Sequence, residues 1–406
     1  MVNYNIKKCD FLVIGGGIIG LSIARTLKQS YRDAKVILIE KEKECGLHAS
    51  GRNSGVLHAG FYYTRDSLKA KFTRLGNQEL TTYCDDKKIK IHRCGKLVVT
   101  QDDNDLIVLS ELLKRGQDND VPLHELTEDD AKKIEPRVLT YQKALFSPTT
   151  SSVDPNQVIH SLKQDAMHEG IEIHLDVQYC YKKNNQIFTN QGLYEAGYIV
   201  NSAGLYADKI ARDFNYAKHY RILPFKGLYL YSNEKPFSLK THIYPVPNLK
   251  NPFLGVHFTV TVDGKIKIGP TAIPAYWREQ YHGFNQFKLT EFFEILYRQM
   301  GLFFFSQFDF KKLAIDEIKK YSKHYLFRLG SDLANHMKKE NFSSFGKPGI
   351  RAQLLNIQER KLEMDFILEG DQFSMHILNA VSPGFTSSFP FSRYVCDKIS
   401  DLLNRK

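Results

Sequence analysis

Four residues near the start of the chain have the types and spacing to hold a phosphate and the sugar attached to it. Gly15, Gly17 and Gly20 stand in G-x-G-x-x-G spacing, and Glu40 follows twenty residues after Gly20. In such a run the first glycine permits a tight turn, the second lets backbone approach a phosphate, and the third lets a helix pack on a strand. The helix that opens there offers free N–H groups and the positive end of its dipole to a pyrophosphate. A carboxylate at the end of the next strand accepts from ribose hydroxyls and repels a 2'-phosphate, which selects FAD or NAD over NADP. The positioning elements are in register: an apolar run over 11–14, a helical pattern through Ile23, Ala24 and Leu27, and a second apolar run over 36–39. That is strand, glycine turn, helix, strand.

Further polar groups stand in unusual settings. The stretch 41–63, KEKECGLHASGRNSGVLHAGFYY, is rich in small residues and poor in bulky aliphatics. Gly51, Ser54, Gly55 and Gly60 allow close backbone approach, while Arg52, Asn53 and His58 supply polar contacts. A loop of this make-up straight after the ribose acid suits the longer cofactor, FAD. His257 falls in a hairpin, Lys226 in PFKG, and Arg351 inside the otherwise apolar strand GIRAQL, where a guanidinium needs a partner.

At 406 residues the chain is long for one domain, so two are expected. Its net charge of +11 comes from basic residues scattered among 45 acids with no basic run of five, which argues against nucleic acid. Six cysteines lie far apart without a C-x-x-C pair, so neither a disulfide framework nor a metal site is expected. The N-terminus is polar and leads at once into the first strand, which leaves no room for a signal peptide. No uninterrupted apolar segment reaches eighteen residues, and a cytoplasmic enzyme is the expectation.

Along the chain, helices are expected over 67–83 and 103–115, with a strand over 94–100 between them. Thr127 with Asp130 reads as a capping box, and Asp154-Pro155 opens a helix that Gly170 ends. A strand over 171–177, a hairpin over 184–194 and a strand over 198–200 lead into NSAGLYAD, whose Ala203 and Gly204 form a second crossing beside the pyrophosphate. From Arg221 the chain turns to aromatic-rich strands, with a hairpin about Asp263-Gly264. The aromatic stretch 291–305 reads as a buried helix of the second domain, ahead of a membrane or subunit contact. Residues 349–354 and 376–388 return to strand, glycine turn and helix, with His376 as a packing residue. The fold class is α/β. A Rossmann-like FAD-binding domain of the glutathione-reductase type (1–90, 150–220, 345–406) is interleaved with an α+β substrate or cap domain on an antiparallel sheet (91–149, 221–344).

The segments SGRNSGVLHAGFYYTRDSLKAKF (50–72), PFKGLYL (224–230), IYPVPNLKNPFLGVHFTVTVDGKIKIGPTAIPAYWRE (243–279), GIRAQL (349–354) and HILNAVSPGFTSS (376–388) together resemble the FAD-dependent oxidoreductases of the D-amino-acid oxidase superfamily. Within it they are most similar to the L-2-hydroxyglutarate dehydrogenase/oxidase family. The chain departs from that pattern at Val260, where arginine is frequent, and at Phe385, where a small residue is usual. The resemblance implies a two-domain flavoprotein that oxidises L-2-hydroxyglutarate to 2-oxoglutarate, with hydride passing from C2 to flavin N5 and electrons leaving to a quinone or oxygen. Loss of the hydroxyl proton calls for a base, and His58 and His257 are the candidates. The dicarboxylate calls for cations: Arg351 first, then Lys226 as an anchor or beside flavin N5, with Tyr62 and Tyr276 completing the set. Candidate cofactor contacts are Gly15, Gly17, Ile18, Ile19, Gly20, Glu40, Lys41, Ser50, Arg52, Asn53, Ser54, Gly55, Val177, Ala203, Gly204, Gly349, Pro383, Gly384, Phe385 and Thr386. The basic charge and the segment 291–305 fit a peripheral contact on the inner face of a membrane. Two other readings stand beside this one: an amine or glycine oxidase or glycerol-3-phosphate dehydrogenase of the same superfamily, and a non-catalytic flavin-holding subunit.

Overall fold

The computed structural model describes residues 6–249, 253–306 and 309–404, so positions 250–252 of the 243–279 segment lie outside the described residues. The chain divides into two compact units. The first comprises Met1–Gly51, Asn156–Ile222 and Ala352–Lys406, and the second comprises Arg52–Pro155 and Leu223–Arg351.

The first unit is built on a parallel sheet. Strand Ile6–Ile14 lies between Val36–Ile39 and Gly192–Asn201, with Phe11 opposite Val36 on one side and Tyr198 on the other. Glu172–His174 extends the sheet beyond Val36–Ile39, and Ser374–Ile377 pairs with the far side of Gly192–Asn201. The run Phe11–Ile14 is buried throughout, as a central strand of a parallel sheet requires, and so reads as continuously apolar rather than alternating. Leu12, Ile14, Ile37, Ile39, Ile199 and Phe214 form its core. Helix Ile18–Ser30 carries the glycine turn, and helix Ser388–Leu403 packs along it, with Thr26 Oγ1 3.2 Å from Ser392 Oγ. The strand expected over 171–177 is shorter, at Glu172–His174.

The second unit centres on an eight-stranded sheet. Its strands run in the order Phe342–Phe345, Leu230–Ser232, Ile266–Gly269, His257–Val260, His242–Pro245, Lys96–Val99, Lys143–Ser147, His124–Thr127. Neighbouring strands pair antiparallel except His242–Pro245 and Lys96–Val99, which run parallel. One face buries Leu97, Val99, Leu230, Ile243, Phe258, Val260 and Ile268 in a single apolar core. Residues 52–90, expected with the nucleotide domain, pack in this unit. The reason is a small sheet in which Ser151–Val153 pairs with both Val56–Leu57 and Ile91–His92.

Two helix starts follow their caps closely. Ser67 Oγ accepts from Ala70 N–H at the head of Leu68–Asp86, and Thr127 Oγ1 accepts from Asp130 N–H at the head of Glu128–Ile134. The aromatic helix Leu289–Phe305 overturns its expectation. It buries one stripe only, Glu291, Ile295, Gln299 and Leu302, and leaves Phe293, Tyr297, Phe304 and Phe305 exposed. Composition alone suggests burial, yet two of the four inward positions are polar and hydrogen-bonded: Glu291 accepts from Arg278 N–H (3.3 Å) and Gln299 donates to the Ala275 carbonyl (2.8 Å). No helix among the described residues is long and apolar enough to cross a membrane.

Candidate active site

In the first unit the glycine turn is shaped by close backbone crossings. Gly15 has φ +109°, its N–H donates to the Ile39 carbonyl (2.8 Å), and a Cβ on it would stand 2.7 Å from the Ser202 carbonyl oxygen. A Cβ on Gly20 would lie 1.9 Å from the Gly15 carbonyl oxygen, so helix and strand meet only because that position has no side chain. The Glu40 carboxylate is held from both sides, by Gly16 N–H on Oε2 (2.7 Å) and Glu42 N–H on Oε1 (2.9 Å). Ile18 N–H donates to Ser50 Oγ (3.0 Å), and Val177 N–H donates to the Glu40 carbonyl (2.9 Å). Ala203 N–H is tied to Asn201 Oδ1 (3.2 Å), and a Cβ on Gly204 would meet nothing within 4 Å, so this side of the turn is open. First-turn N–H groups, fixed acid and open crossing together fit the pyrophosphate and ribose of a dinucleotide. Lys41 pairs with Glu42 and lies 5.7 Å from the Tyr206 ring.

The late loop of the same unit is tightly folded. Gly384 N–H donates to the Val381 carbonyl (2.8 Å), and Ser387 N–H to that of Pro383 (3.0 Å). Ser387 offers no side-chain cap to helix Ser388–Leu403, so the first-turn N–H groups there depend on other acceptors. Phe385 and Thr386 sit within this turn. His376 is fully buried between Phe214 and Tyr216. Its Nδ1 accepts from Asn201 Nδ2 (3.1 Å), so Nε2–H donates to Ser374 Oγ (3.1 Å), which gives the packing role expected of it.

In the second unit the chemistry lies on the sheet face opposite the apolar core. Side chains alternate along a strand, so Lys96 and Val98 point away from Leu97 and Val99. The same period puts His242 and Tyr244, His257 and Thr259, and Lys267 on that face, all of them buried. Register brings them together: Lys96 is opposite His242, Thr259 opposite Lys267, and the rings of Tyr244 and His257 stack with centroids 3.6 Å apart. The loop bearing His58 is pinned over the face by the end of helix Asp103–Asp118. Arg115 Nη1 donates to the Tyr62 carbonyl (2.8 Å), and Asn119 Nδ2 to those of Gly60 (3.3 Å) and Tyr63 (2.9 Å).

Lys96 is the outlier. Its ammonium is fully buried and has no hydrogen-bond partner, and it stands 4.5 Å from the Phe61 ring, 4.4 Å from Tyr62 and 4.9 Å from Tyr244. Cation–π attraction offsets only part of that desolvation, and burial pushes its pKa down to about 7. Lys267 is better served, donating to the Ser54 carbonyl (2.9 Å) above the Tyr229 ring, and burial brings it to about 8. Burial, helped by the Lys96 charge, drives His58 to about 3. Burial is also the main reason that His257 and His242 lie well below the ordinary range. The Tyr62 hydroxyl is buried without a partner, and burial raises its pKa.

His242 and His257 differ in tautomer. His242 Nδ1 accepts from Val260 N–H (3.1 Å), so Nε2 carries the proton toward Ser152 Oγ (3.4 Å), whose hydroxyl donates to the Val260 carbonyl (2.6 Å). That closed loop makes His242 a structural residue. His257 is the reverse: Nδ1 lies 2.9 Å from the Gly255 carbonyl, which can only accept, so Nδ1 is protonated and Nε2 holds the lone pair.

The other expected residues separate. The Arg351 guanidinium is 5.3 Å from the Phe253 ring and is held near 10 by burial against the opposing pull of Tyr63; it stays charged at neutral pH. Phe253 packs on Phe225 (5.0 Å), beside buried Lys226, whose pKa burial lowers. Arg52 lies over the Tyr281 ring (4.3 Å) and donates to the Pro348 carbonyl (3.2 Å), and a Cβ on Gly349 would come 2.8 Å from the Arg52 carbonyl oxygen. Asn53 Oδ1 accepts from Gly55 N–H (2.7 Å) and Ser54 Oγ from Val56 N–H (3.3 Å), so both shape the turn. The Tyr276 ring is 36% exposed and rests against Phe292 (6.0 Å), and none of the described contacts joins it to the buried face. Sequence reasoning missed Lys96, Lys267, His242 and Tyr244. Their signal was present as polar residues alternating with apolar ones: Lys96 in KLVV, His242 and Tyr244 in HIYP, His257 and Thr259 in HFTV, and Lys267 in IKIG.

A glycine-turn cradle on a parallel sheet marks the first unit as that of a dinucleotide-binding enzyme. Residues 10–319 match the family described as FAD dependent oxidoreductase, and the chain belongs to that family. It is 34% identical to the mitochondrial L-2-hydroxyglutarate dehydrogenase of Homo sapiens, over 96% of this chain and 88% of that protein. It is 32% identical to the L-2-hydroxyglutarate dehydrogenase of Escherichia coli K12, over 97% and 94%. Among solved structures, FAD-bound L-alpha-glycerophosphate oxidase from Mycoplasma pneumoniae aligns with TM-score 0.76 at 22% identity, covering 98% of this chain and 96% of that one. Glycine oxidase from Geobacillus kaustophilus aligns with TM-score 0.71 at 16% identity, covering 98% and 95%. The expected fold class and FAD dependence are both borne out.

Proposed function

We propose that the protein oxidises L-2-hydroxyglutarate to 2-oxoglutarate, in the cytoplasm or peripherally on the inner face of the membrane, and passes the electrons to a quinone or oxygen. The observation that carries the reading is Lys96, a buried ammonium without a hydrogen-bond partner in a chain about one-third identical to L-2-hydroxyglutarate dehydrogenases. A dianion answers that desolvated charge, and a second carboxylate suits the guanidinium of Arg351, with buried Lys226 as a further cation. FAD, when bound there, would supply the acceptor for the hydride leaving C2. His257 takes the hydroxyl proton on Nε2, the Gly255 carbonyl holds the tautomer, and His58 is the alternative acceptor. The backbone at Gly15, Gly17, Ile18, Ile19 and Gly20, with Ser50, Ala203 and Gly204, holds the pyrophosphate, and Glu40 beside Val177 takes the ribose hydroxyls.

The test is to mix the FAD-loaded protein with L-2-hydroxyglutarate under anaerobic conditions and follow the flavin absorbance. Rapid bleaching by the L form, with little by the D form, glycine or glycerol 3-phosphate, is the expected result. An unbleached flavin with the L form would overturn the proposed substrate.

A further inference from the structure

One aromatic ring on the polar face of the second unit stands directly against the proposed base. Ile243 lies opposite Phe258 in an antiparallel pair, so one step along the sheet Tyr244 faces His257. Their rings stack with centroids 3.6 Å apart and planes inclined by 16°. Two neutral aromatic rings avoid a close face-to-face stack, because each presents a negative face to the other, and settle offset or edge-on at roughly 4.5–7 Å. Positive charge on one of them reverses that preference, since a cation is drawn to the face of the other. The stack therefore fits the imidazolium form of His257 better than the neutral imidazole. Imidazolium is the form that exists once Nε2 has taken a proton.

The surroundings sharpen this role. Tyr244 is buried, and burial raises its pKa, so the phenol stays neutral. Lys96 Nζ stands 4.9 Å from the same ring, which thus already borders one cation. Lys96 also has the rings of Phe61 and Tyr62, at 4.5 and 4.4 Å, and a carboxylate arriving there lessens its demand on Tyr244. For His257 the protonated form is disfavoured by burial above all and further by neighbouring cations, against the pull of the Gly255 carbonyl, so a ring face that favours the cation acts where help is needed. The two contacts are also complementary in direction. The Gly255 carbonyl fixes Nδ1 from the edge of the imidazole (2.9 Å), and Tyr244 fixes its tilt from the face, which together aim Nε2.

We propose that Tyr244 is the positioning residue of the base: its ring holds the His257 imidazole face-on and stabilises the imidazolium as the substrate's hydroxyl proton moves to Nε2. The inference rests on the proposed reaction and assigns it a further residue. The test compares FAD-loaded Tyr244→Phe, which keeps the ring, with Tyr244→Leu and Tyr244→Met, which remove it, by anaerobic stopped-flow reduction with L-2-hydroxyglutarate. Expected for Tyr244→Phe is a limiting reduction rate within about threefold of wild type. For Tyr244→Leu and Tyr244→Met the rate should fall about tenfold to thirtyfold, as loss of a desolvated cation–π contact implies, with substrate Kd within about threefold. The Met variant fills more of the vacated space and stands in if the Leu cavity costs the fold. Equal rates with and without the ring, or a loss seen in Kd instead of rate, overturn the proposal. A second readout needs no turnover. In spectra of the protein carrying carbon-13 histidine, the His257 Cε1 proton, identified by its disappearance in His257→Gln, should lie upfield in wild type and Tyr244→Phe and move downfield in the other two. A resonance that stays in place in all of them overturns the stack. A wild-type flavin that L-2-hydroxyglutarate does not bleach, with that upfield shift present, would sink the substrate reading and leave the pairing of ring and base standing.

Discussion

Around the glycine turn of the first unit, the polar groups are met by backbone or by a nearby hydroxyl: Gly16 and Glu42 N–H on the Glu40 carboxylate, and Ile18 N–H on Ser50. On the sheet face of the second unit, Lys96 is buried with rings on three sides and no acceptor, and the Nε2 lone pair of His257 is left unengaged by its own tautomer. The first arrangement has its acid and its turn fixed before anything binds, which suits a cofactor that stays. The second leaves desolvated groups waiting for charge, which suits a molecule that arrives, reacts and leaves, because its binding relieves a standing cost.

The largest expected effect is on the first region. Gly20→Val places side-chain carbon where the Gly15 carbonyl oxygen already stands 1.9 Å from the Cβ position, so helix and strand must part. The cost is on the order of several kcal/mol, with loss of bound flavin. Absorbance ratio and melting temperature check it, and a variant that kept both would show that the cradle tolerates what its geometry forbids.

That region was also the more readable one. Gly15, Gly17, Gly20 and Glu40 lie within one strand–helix–strand run, and each residue type follows from a local backbone demand. The face in the second unit is assembled from strands beginning at Lys96, His242, His257 and Ile266, far apart in sequence, so nothing local announces that Lys96 and His242 are neighbours. What remained was the two-residue alternation. In the hairpin 256–268 it is legible from the apolar positions, and of the polar ones between them His257 alone carries a sequence-based role. The helix Leu289–Phe305 failed for a related reason: its composition says apolar, and only the three-dimensional fold shows which stripe faces the protein.

On the second region the sharpest break is His257→Ala. Removing the lone pair on Nε2 should lower kcat roughly 10²- to 10⁴-fold with flavin content unchanged. A fall below tenfold would move the base to His58. Because burial and the neighbouring cations, against the opposing pull of the Gly255 carbonyl, leave His257 well below the ordinary histidine range, the base form persists on acidification. Activity limited by this group should therefore not fall as pH drops through 6.5.

Lys96→Met should raise KM roughly tenfold to a hundredfold while making the empty protein more stable. The folded-state pKa is about 7, below the ordinary 10.5, so between those values the unfolded chain holds a proton that the folded one lacks. Stability of the wild type thus rises with pH across that window, and the penalty is full below pH 7. The Met variant should melt higher at pH 6, by on the order of a few kcal/mol, and the gap should close toward pH 10. A dianion restores the charge, so substrate binding above pH 7 should draw a proton from a weak buffer. No uptake would mean that Lys96 does not meet the substrate.

The smallest effect expected marks where the face ends. Tyr276 was a candidate substrate contact, yet its ring rests on Phe292 and is over a third exposed, whereas Tyr62 is buried under the Lys96 ammonium. Removing a hydroxyl that has water to bond changes little, while removing one that is buried near the reacting groups leaves its ligand partner unpaired. Tyr276→Phe should therefore leave kcat/KM within about twofold, and Tyr62→Phe should lower it by roughly tenfold. If the two variants behaved alike, the buried face would extend further than its contacts show, and the contrast between a satisfied cradle and an unsatisfied pocket would lose its edge.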